Sequence, residues 1–275
     1  MHRRTFLTTV GVTSIAGCSS SKSNQTETAS PNVEFVGADA PESVPLNVPR
    51  TFSIRLRNTG SSEETFNSPL GVKQNDGEWE KATDVSLTIP AGETKQWNSA
   101  RFALECLGKY QFKLHGFDAT WSIEAVPKRL DFGNFYAVPT GLYINPLGGS
   151  FELEYPTEDN RTVTNQTATS EPTPSPRTPT DGEQWLVMRV DVRNRLEEPQ
   201  LTPPASKFVL TVDGEPRPLH QDVSDDPYNS HELDGRTVTR SDLVYSVPAN
   251  TEEKDISLTW SSSLSDGDVK AIWTK

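Results

Sequence analysis

The chain has 275 residues, longer than a usual single domain of about 100–200, so two domains are expected. Its hydrophobic share of 33% is low for a packed chain and requires sizeable polar or unpacked segments. Its 38 acidic residues outnumber 26 basic ones, and the formal charge of −12 argues against nucleic acid or anionic lipid head groups as partners.

At the N-terminus, His2-Arg3-Arg4-Thr5-Phe6-Leu7 precedes a short apolar run that ends in Ile15-Ala16-Gly17-Cys18. A basic start, an apolar middle and a small-residue end are the parts of an export signal. The middle is rich in Thr, Val and Gly, which are poor helix formers, and is shorter than the about 20 residues of a membrane span. Arg3-Arg4-Thr5-Phe6-Leu7 resembles the twin-arginine signal of proteins exported already folded. Ile15-Ala16-Gly17-Cys18 resembles a lipobox. The resemblance implies that residues 1–17 are removed and that Cys18 is acylated and leads the mature chain. It places the protein on the extracytoplasmic face of the cell membrane, lipid-anchored. Loss of Arg3 and Arg4 leaves 24 basic against 38 acidic residues, a charge of −14. Such acidity serves solubility or adaptation to high salt. With arginine above lysine, 15 to 11, and with this signal, the chain resembles secreted lipoproteins of halophilic archaea. Of two cysteines, acylation of Cys18 would leave Cys106 alone, so no disulfide framework is expected. A lone cysteine in a strand behaves as a small buried hydrophobe.

Residues 18–31 hold almost nothing able to bury apolar area and read as a disordered tether. From Asn32 to Pro127 the signals are those of strands. Phe52, Ile54 and Leu56 alternate with polar residues, the period of a half-buried strand, and Asn58-Thr59-Gly60 closes it. Asp76-Gly77 marks a hairpin turn before Trp79. Val85, Leu87 and Ile89 form a further inward row, ended by Pro90-Ala91-Gly92-Glu93. Phe102/Leu104/Cys106 and Tyr110/Phe112/Leu114 make the last strand pair, followed by Trp121-Ser122-Ile123. No window has a helical period, and short strands at even spacing predict a β-sandwich. The Asn-x-Gly turn after a basic strand, Pro90-Ala91-Gly92-Glu93-Thr94 before Trp97, and Leu107-Gly108-Lys109-Tyr110 resemble an immunoglobulin-like or fibronectin-type module. That resemblance implies that Tyr110 is a corner tyrosine, its hydroxyl bonded to nearby backbone.

The second segment, residues 128–275, has a strand pattern at Gly148–Tyr155 and is then interrupted. Residues 156–182 contain five prolines and eight threonines with only Val163 and Ala168 apolar, the composition of a disordered insertion. Pattern resumes with Leu186, Met188, Val190 and Val192 facing in, then Phe208/Leu210/Val212 and an Asp213-Gly214 hairpin turn. Leu243/Tyr245/Val247, Ile256/Leu258/Trp260 and Val269–Trp273 complete the strands. Gly182-Glu183-Gln184-Trp185-Leu186-Val187 before a strand ending in Arg193-Asn194, with Asp242–Pro248 near the end, resembles the telokin-like, immunoglobulin-related domains of prokaryotic lipoproteins. Whether residues 130–155 belong to that domain or connect the two stays open. Arg57-Asn58 with Glu63-Glu64 echoes Arg193-Asn194 with Glu197-Glu198, short of a sequence repeat. The fold expected is therefore all-β: two immunoglobulin-like sandwiches after a signal and tether.

Residues that could carry chemistry are sparse. A blue-copper site needs Cys, His and Met close together, and His115 lies nine residues after Cys106 with no methionine near. His220-Gln221-Asp222-Val223-Ser224-Asp225-Asp226 could offer cation ligands but lacks the glycine and terminal glutamate of a calcium loop. No Gly-x-Ser-x-Gly, His-Glu-x-x-His, Cys-x-x-Cys or phosphate-cradling loop occurs. The chain is thus expected to be no enzyme and to hold no cofactor or metal. Most tryptophans sit among apolar neighbours, with Trp97 and Trp185 beside polar strand ends as the surface candidates. Asn24, Asn160 and Asn165 lie in glycosylation sequons within the tether and the insertion. A lipid-anchored binding or adhesion module, with the membrane and an unidentified extracellular or envelope partner, is the function these features favour. An accessory or solute-capture subunit of an envelope or transporter complex is the alternative.

Overall fold

The computed structural model describes residues 32–155 and 177–275. Nearly all of its regular structure is β, and no described helix is long and apolar enough to cross a membrane. The chain divides into two units. One runs to Pro127 and includes Ser263–Val269; the other comprises Lys128–Ser262 and Lys270–Lys275.

The first unit contains β1 (Val33–Asp39), β2 (Ser43–Pro45), β3 (Ser53–Asn58) and β4 (Glu64–Gln74). It continues with β5 (Glu80–Ile89), β6 (Thr94–Asn98), β7 (Gly108–Leu114) and β8 (Thr120–Val126). These form two sheets, β1-β3-β6 and β2-β8-β7-β4-β5, with β2 parallel to β8. Apolar side chains at every second position fill the space between them: Ile54 and Leu56 from one sheet, Phe66, Phe112, Leu114 and Ile123 from the other, all buried. Phe52 meets Phe102, Phe112 and Trp121 at centroid distances of 5.6, 5.2 and 5.6 Å, an aromatic centre for the sandwich. Tyr110, at the start of β7, donates its hydroxyl to the Cys106 carbonyl at 3.1 Å, the bond of a tyrosine corner. One expectation fails here. Phe102, Leu104 and Cys106 are buried, but this segment makes only a single bridge, Arg50 to Phe102, and otherwise runs irregularly into β7. The alternation that suggested a strand reflects side chains dropping into the core from a loop.

The second unit begins with β9 (Lys128–Asp131), β10 (Tyr136–Ala137), β11 (Leu142–Glu152), β12 (Glu183–Asn194) and β13 (Gln200–Leu201). There follow β14 (Phe208–Val212), β15 (Glu215–Pro216), β16 (Glu232–Leu233), β17 (Val238–Pro248), β18 (Ile256–Leu264) and β19 (Gly267–Thr274). The main sheets are β10-β11-β12-β17 and β15-β14-β18-β19-β9, with β9 parallel to β19. Residues 128–155 are therefore strands of this unit and not a connector. Strand for strand, β11-β12-β17 matches β1-β3-β6, and β9-β19-β18-β14-β15 matches β2-β8-β7-β4-β5. The one difference in order is that the short parallel strand precedes its neighbour β11 in the second unit and follows β1 in the first. Leu186, Met188, Val190, Val192, Leu258, Trp260 and Trp273 form the core. Asp213 and Gly214 take φ of 50° and 86°, the left-handed pair that closes the β14–β15 hairpin.

The weak sequence echo has a structural basis. Asn58 ends β3 and Asn194 ends β12, and both are fully buried. Asn58 donates to the carbonyls of Ser62 and Ile89, while its own oxygen accepts from the Gly60 N–H. Asn194 donates to Glu198 and Leu233 and accepts from Leu196 in the same pattern. Each amide fastens the turn after its strand to a second, distant segment.

Candidate functional site

The residues of the export, anchoring and modification readings, Arg3, Arg4, Cys18, Asn24, Asn160 and Asn165, lie outside the described residues. Of the expected insertion, residues 156–176 lie outside them too, but Arg177–Gly182 belong to the second unit. The Arg177 carbonyl accepts from the Tyr155 N–H at 3.1 Å and from the Trp185 indole at 2.8 Å. The insertion therefore leaves and re-enters the fold at one point.

That point lies on the outer face of the β10-β11-β12-β17 sheet, at an end that described residues cover. There Trp185 and Val244 pack with Tyr155 and Val223 into a small outer core, with Val187 at its edge. The expected exposure of Trp185 is thus wrong: it is 5% exposed, because both faces of β12 are buried here. Trp97 is half-buried against Phe52, and Trp79, at 42%, is the exposed tryptophan. Residues 218–228 also cover the free edge of β17, through bonds such as His220 N–H to Val244 and Tyr228 N–H to Asp242. Beneath them Asp242 is 2% exposed, accepting from Arg189 Nε at 2.9 Å and from the Tyr155 hydroxyl at 3.3 Å. Hydrogen bonding to Asp242 raises the Arg189 pKa further, so the guanidinium stays charged. Ser224 and Tyr155 bond each other and hold the Asp226 and Asp225 N–H groups. Within the candidate cation loop, then, Asp225 and Asp226 face Arg177 and Arg189. No group of three or more His, Cys, Asp or Glu side chains placed to hold a metal occurs among the described residues.

At the other end of the same face Arg193, Val238 and Arg240 are exposed. Tyr143, Asn145, Asp191, Arg193, Val238 and Arg240 project outward from registered positions on β11, β12 and β17. Phe135, 53% exposed, lies parallel to Tyr143 with centroids 4.6 Å apart and 7° between planes. Arg195 adds its guanidinium 5.1 Å from the Tyr143 ring. The stack is pinned by its backbone: Gly133 N–H bonds Pro146, the Asn134 carbonyl accepts from the Trp273 indole, and Arg195 N–H bonds Gly141. Gly141, at φ +95°, is required there, since a Cβ would lie 2.6 Å from Leu196. Arg240 grips Asp191 with both oxygens engaged, at 2.6 and 2.7 Å. Sequence reasoning missed this stack because Phe135 lies in a loop and Tyr143 is a single outward residue in a strand.

The first unit holds a cavity of about 440 Å³, within the usual range of ligand pockets. Its floor is core: Phe52, Leu70, Val72 and Phe112. A bulge in β5 that leaves Ala82 unpaired lies on its wall, and Arg101 and Lys81 stand at its rim. Cys106 also lines it, and burial, followed by neighbouring carboxylates, pushes its thiol up to about 11. The thiol stays protonated and is a poor nucleophile.

No protein-family model matches the chain, and no curated protein matches it significantly. Among solved structures it is similar to an uncharacterised β-sandwich protein of Clostridium difficile: 12% identity over 55% of this chain and 95% of that one, TM-score 0.33. A candidate lipoprotein of Bacillus subtilis shares 10% identity over 53% of this chain and 39% of that one, TM-score 0.35. Red sea bream transglutaminase shares 11% over 89% and 31% respectively, TM-score 0.35.

Proposed function

We propose that this chain is a lipid-anchored binding module on the extracytoplasmic face of the cell membrane, carrying two β-sandwiches on a tether that starts at Cys18. The observation that supports it best is the exposed end of the outer sheet face in the second unit, with Arg193, Val238 and Arg240. A rigid aromatic stack beside exposed guanidinium groups, Arg193 among them with no ion pair to a described residue, has the features of an interaction site. The order of Arg3-Arg4, the apolar run and Cys18 supplies the anchoring half of the proposal. The role is binding or adhesion, without a catalytic step. A second reading, a solute-capture or accessory subunit of an envelope complex, is favoured by the cavity of the first unit, whose size suits a small molecule.

Membrane fractionation tests the anchor. Cys18→Ser is expected to release the protein from membranes, and a membrane-bound, full-length variant would refute the anchor. A photo-crosslinker placed at Val238 in the intact chain tests the face in cells. Crosslinks to cell-surface material are expected; capture from a crosslinker at Ala82 alone would favour the solute-capture reading.

A further inference from the structure

We propose that the exposed end of the outer face of the second unit binds an anionic glycan, a chain of sugar rings bearing carboxylates; this rests on reading that face as a binding surface. The chain as a whole is acidic, with 38 acidic against 26 basic residues. On this half-face the sign inverts. At the registered positions of this end Arg193 and Arg240 stand against Asp191, with Arg195 against Tyr143, and Asp191 is already held by Arg240. Arg193 is exposed and has no ion pair among the described residues. At about 0.15 M ionic strength the Debye length is about 8 Å, so an approaching ligand responds to these guanidiniums more than to distant carboxylates.

Charge alone would suit any anion, and the aromatic stack narrows the choice. Phe135 and Tyr143 lie 4.6 Å apart and nearly parallel, with Phe135 53% exposed. A flat, apolar ring face on a pinned loop matches the apolar C–H face of a pyranose, and costs little conformational entropy on binding. Arg195, 5.1 Å from the Tyr143 ring of the stack, offers the paired N–H geometry that carboxylates accept. Outward side chains from three neighbouring strands, β11, β12 and β17, make a surface along which repeating rings can lie. An acidic polypeptide would instead look for a sheet edge to pair with, and residues 218–228 already occupy much of the β17 edge.

Affinity electrophoresis of the purified full chain can test this with polygalacturonate, its methyl ester and poly-glutamate as probes. Polygalacturonate is expected to retard the chain, more at 0.1 M than at 1 M salt, and the methyl ester to do so far less. Phe135→Ala and the pair Arg193→Gln with Arg195→Gln should each weaken retardation about tenfold or more. Phe135→Tyr should keep it, and circular dichroism melts should show all variants folded. Equal retardation by the ester, or none by polygalacturonate, overturns the proposal. Retardation by poly-glutamate that survives Phe135→Ala overturns the glycan and leaves the face a binding surface. If, in addition, no crosslinks form from Val238 in cells, the binding-surface reading falls as well.

Discussion

At the scale of single residues, Asn58 and Asn194 do the same work in two sandwiches with little sequence in common. A buried amide has two donors and an acceptor to satisfy, and both residues satisfy them on backbone of the turn that follows and of a second, distant segment. Removing either side chain strands buried carbonyls and an N–H. Asn58→Ala and Asn194→Ala should each cost about 1–3 kcal/mol. Aspartate has no N–H to donate and should not rescue either position. Urea unfolding followed by near-UV circular dichroism would check this, and a loss below about 0.5 kcal/mol, the size of an ordinary surface change, would show that the carbonyls find other partners.

Among the elements, β17 is the one whose environment changes most along its length. Its inner face packs in the core throughout. Its outer face passes from exposed Val238 and Arg240 to fully covered Val244. Asp242 sits at the boundary, and its pairing with Arg189 is worth testing because the two partners differ in exposure. The Asp242 side chain is 4% exposed and that of Arg189 41%. Removing the exposed partner leaves a buried carboxylate with Tyr155 alone among the described side chains to answer it, so Arg189→Met should destabilise the second unit by about 1–3 kcal/mol. The double variant Arg189→Met with Asp242→Asn should recover part of that loss, since no charge is then left buried. A double variant less stable than Arg189→Met alone would show that Asp242 acts through Tyr155 and not through the ion pair.

For the whole molecule the acid excess decides the response to salt. The ion pairs between exposed side chains, such as Arg236–Glu197 and Lys254–Glu252, contribute at most about 1 kcal/mol each. Repulsion among the remaining carboxylates acts over a Debye length of about 30 Å at 0.01 M and about 3 Å at 1 M. Screening therefore removes more repulsion than attraction. The melting temperature should rise by several degrees between these salt levels, since about 1 kcal/mol moves a domain of about 100 residues by roughly 4–8 °C. Calorimetry in chloride salts would show it; a flat or falling melting temperature would leave solubility as the only role for the acidity.

The sequence alone determined several of the strands and which way most of their side chains point. Phe52, Ile54 and Leu56, or Leu186, Met188, Val190 and Val192, declare a buried face through a period of two, which is a local property of the backbone. The same holds for the Asp213-Gly214 turn and for Tyr110, whose bond reaches only four residues back. Only the tertiary structure decided the rest. Trp185 is buried on an outward position because residues 218–228 form a third layer over one end of the sheet, and alternation along β12 cannot register a layer that arrives from elsewhere. Leu104 and Cys106 are buried without a strand because a loop can follow the core boundary without pairing. The stack of Phe135, Tyr143 and Arg195 unites a loop, a strand and a strand end, and no spacing in the chain encodes that meeting. Periodicity reports the neighbours of a residue in its own strand; a binding face is made by neighbours that folding supplies.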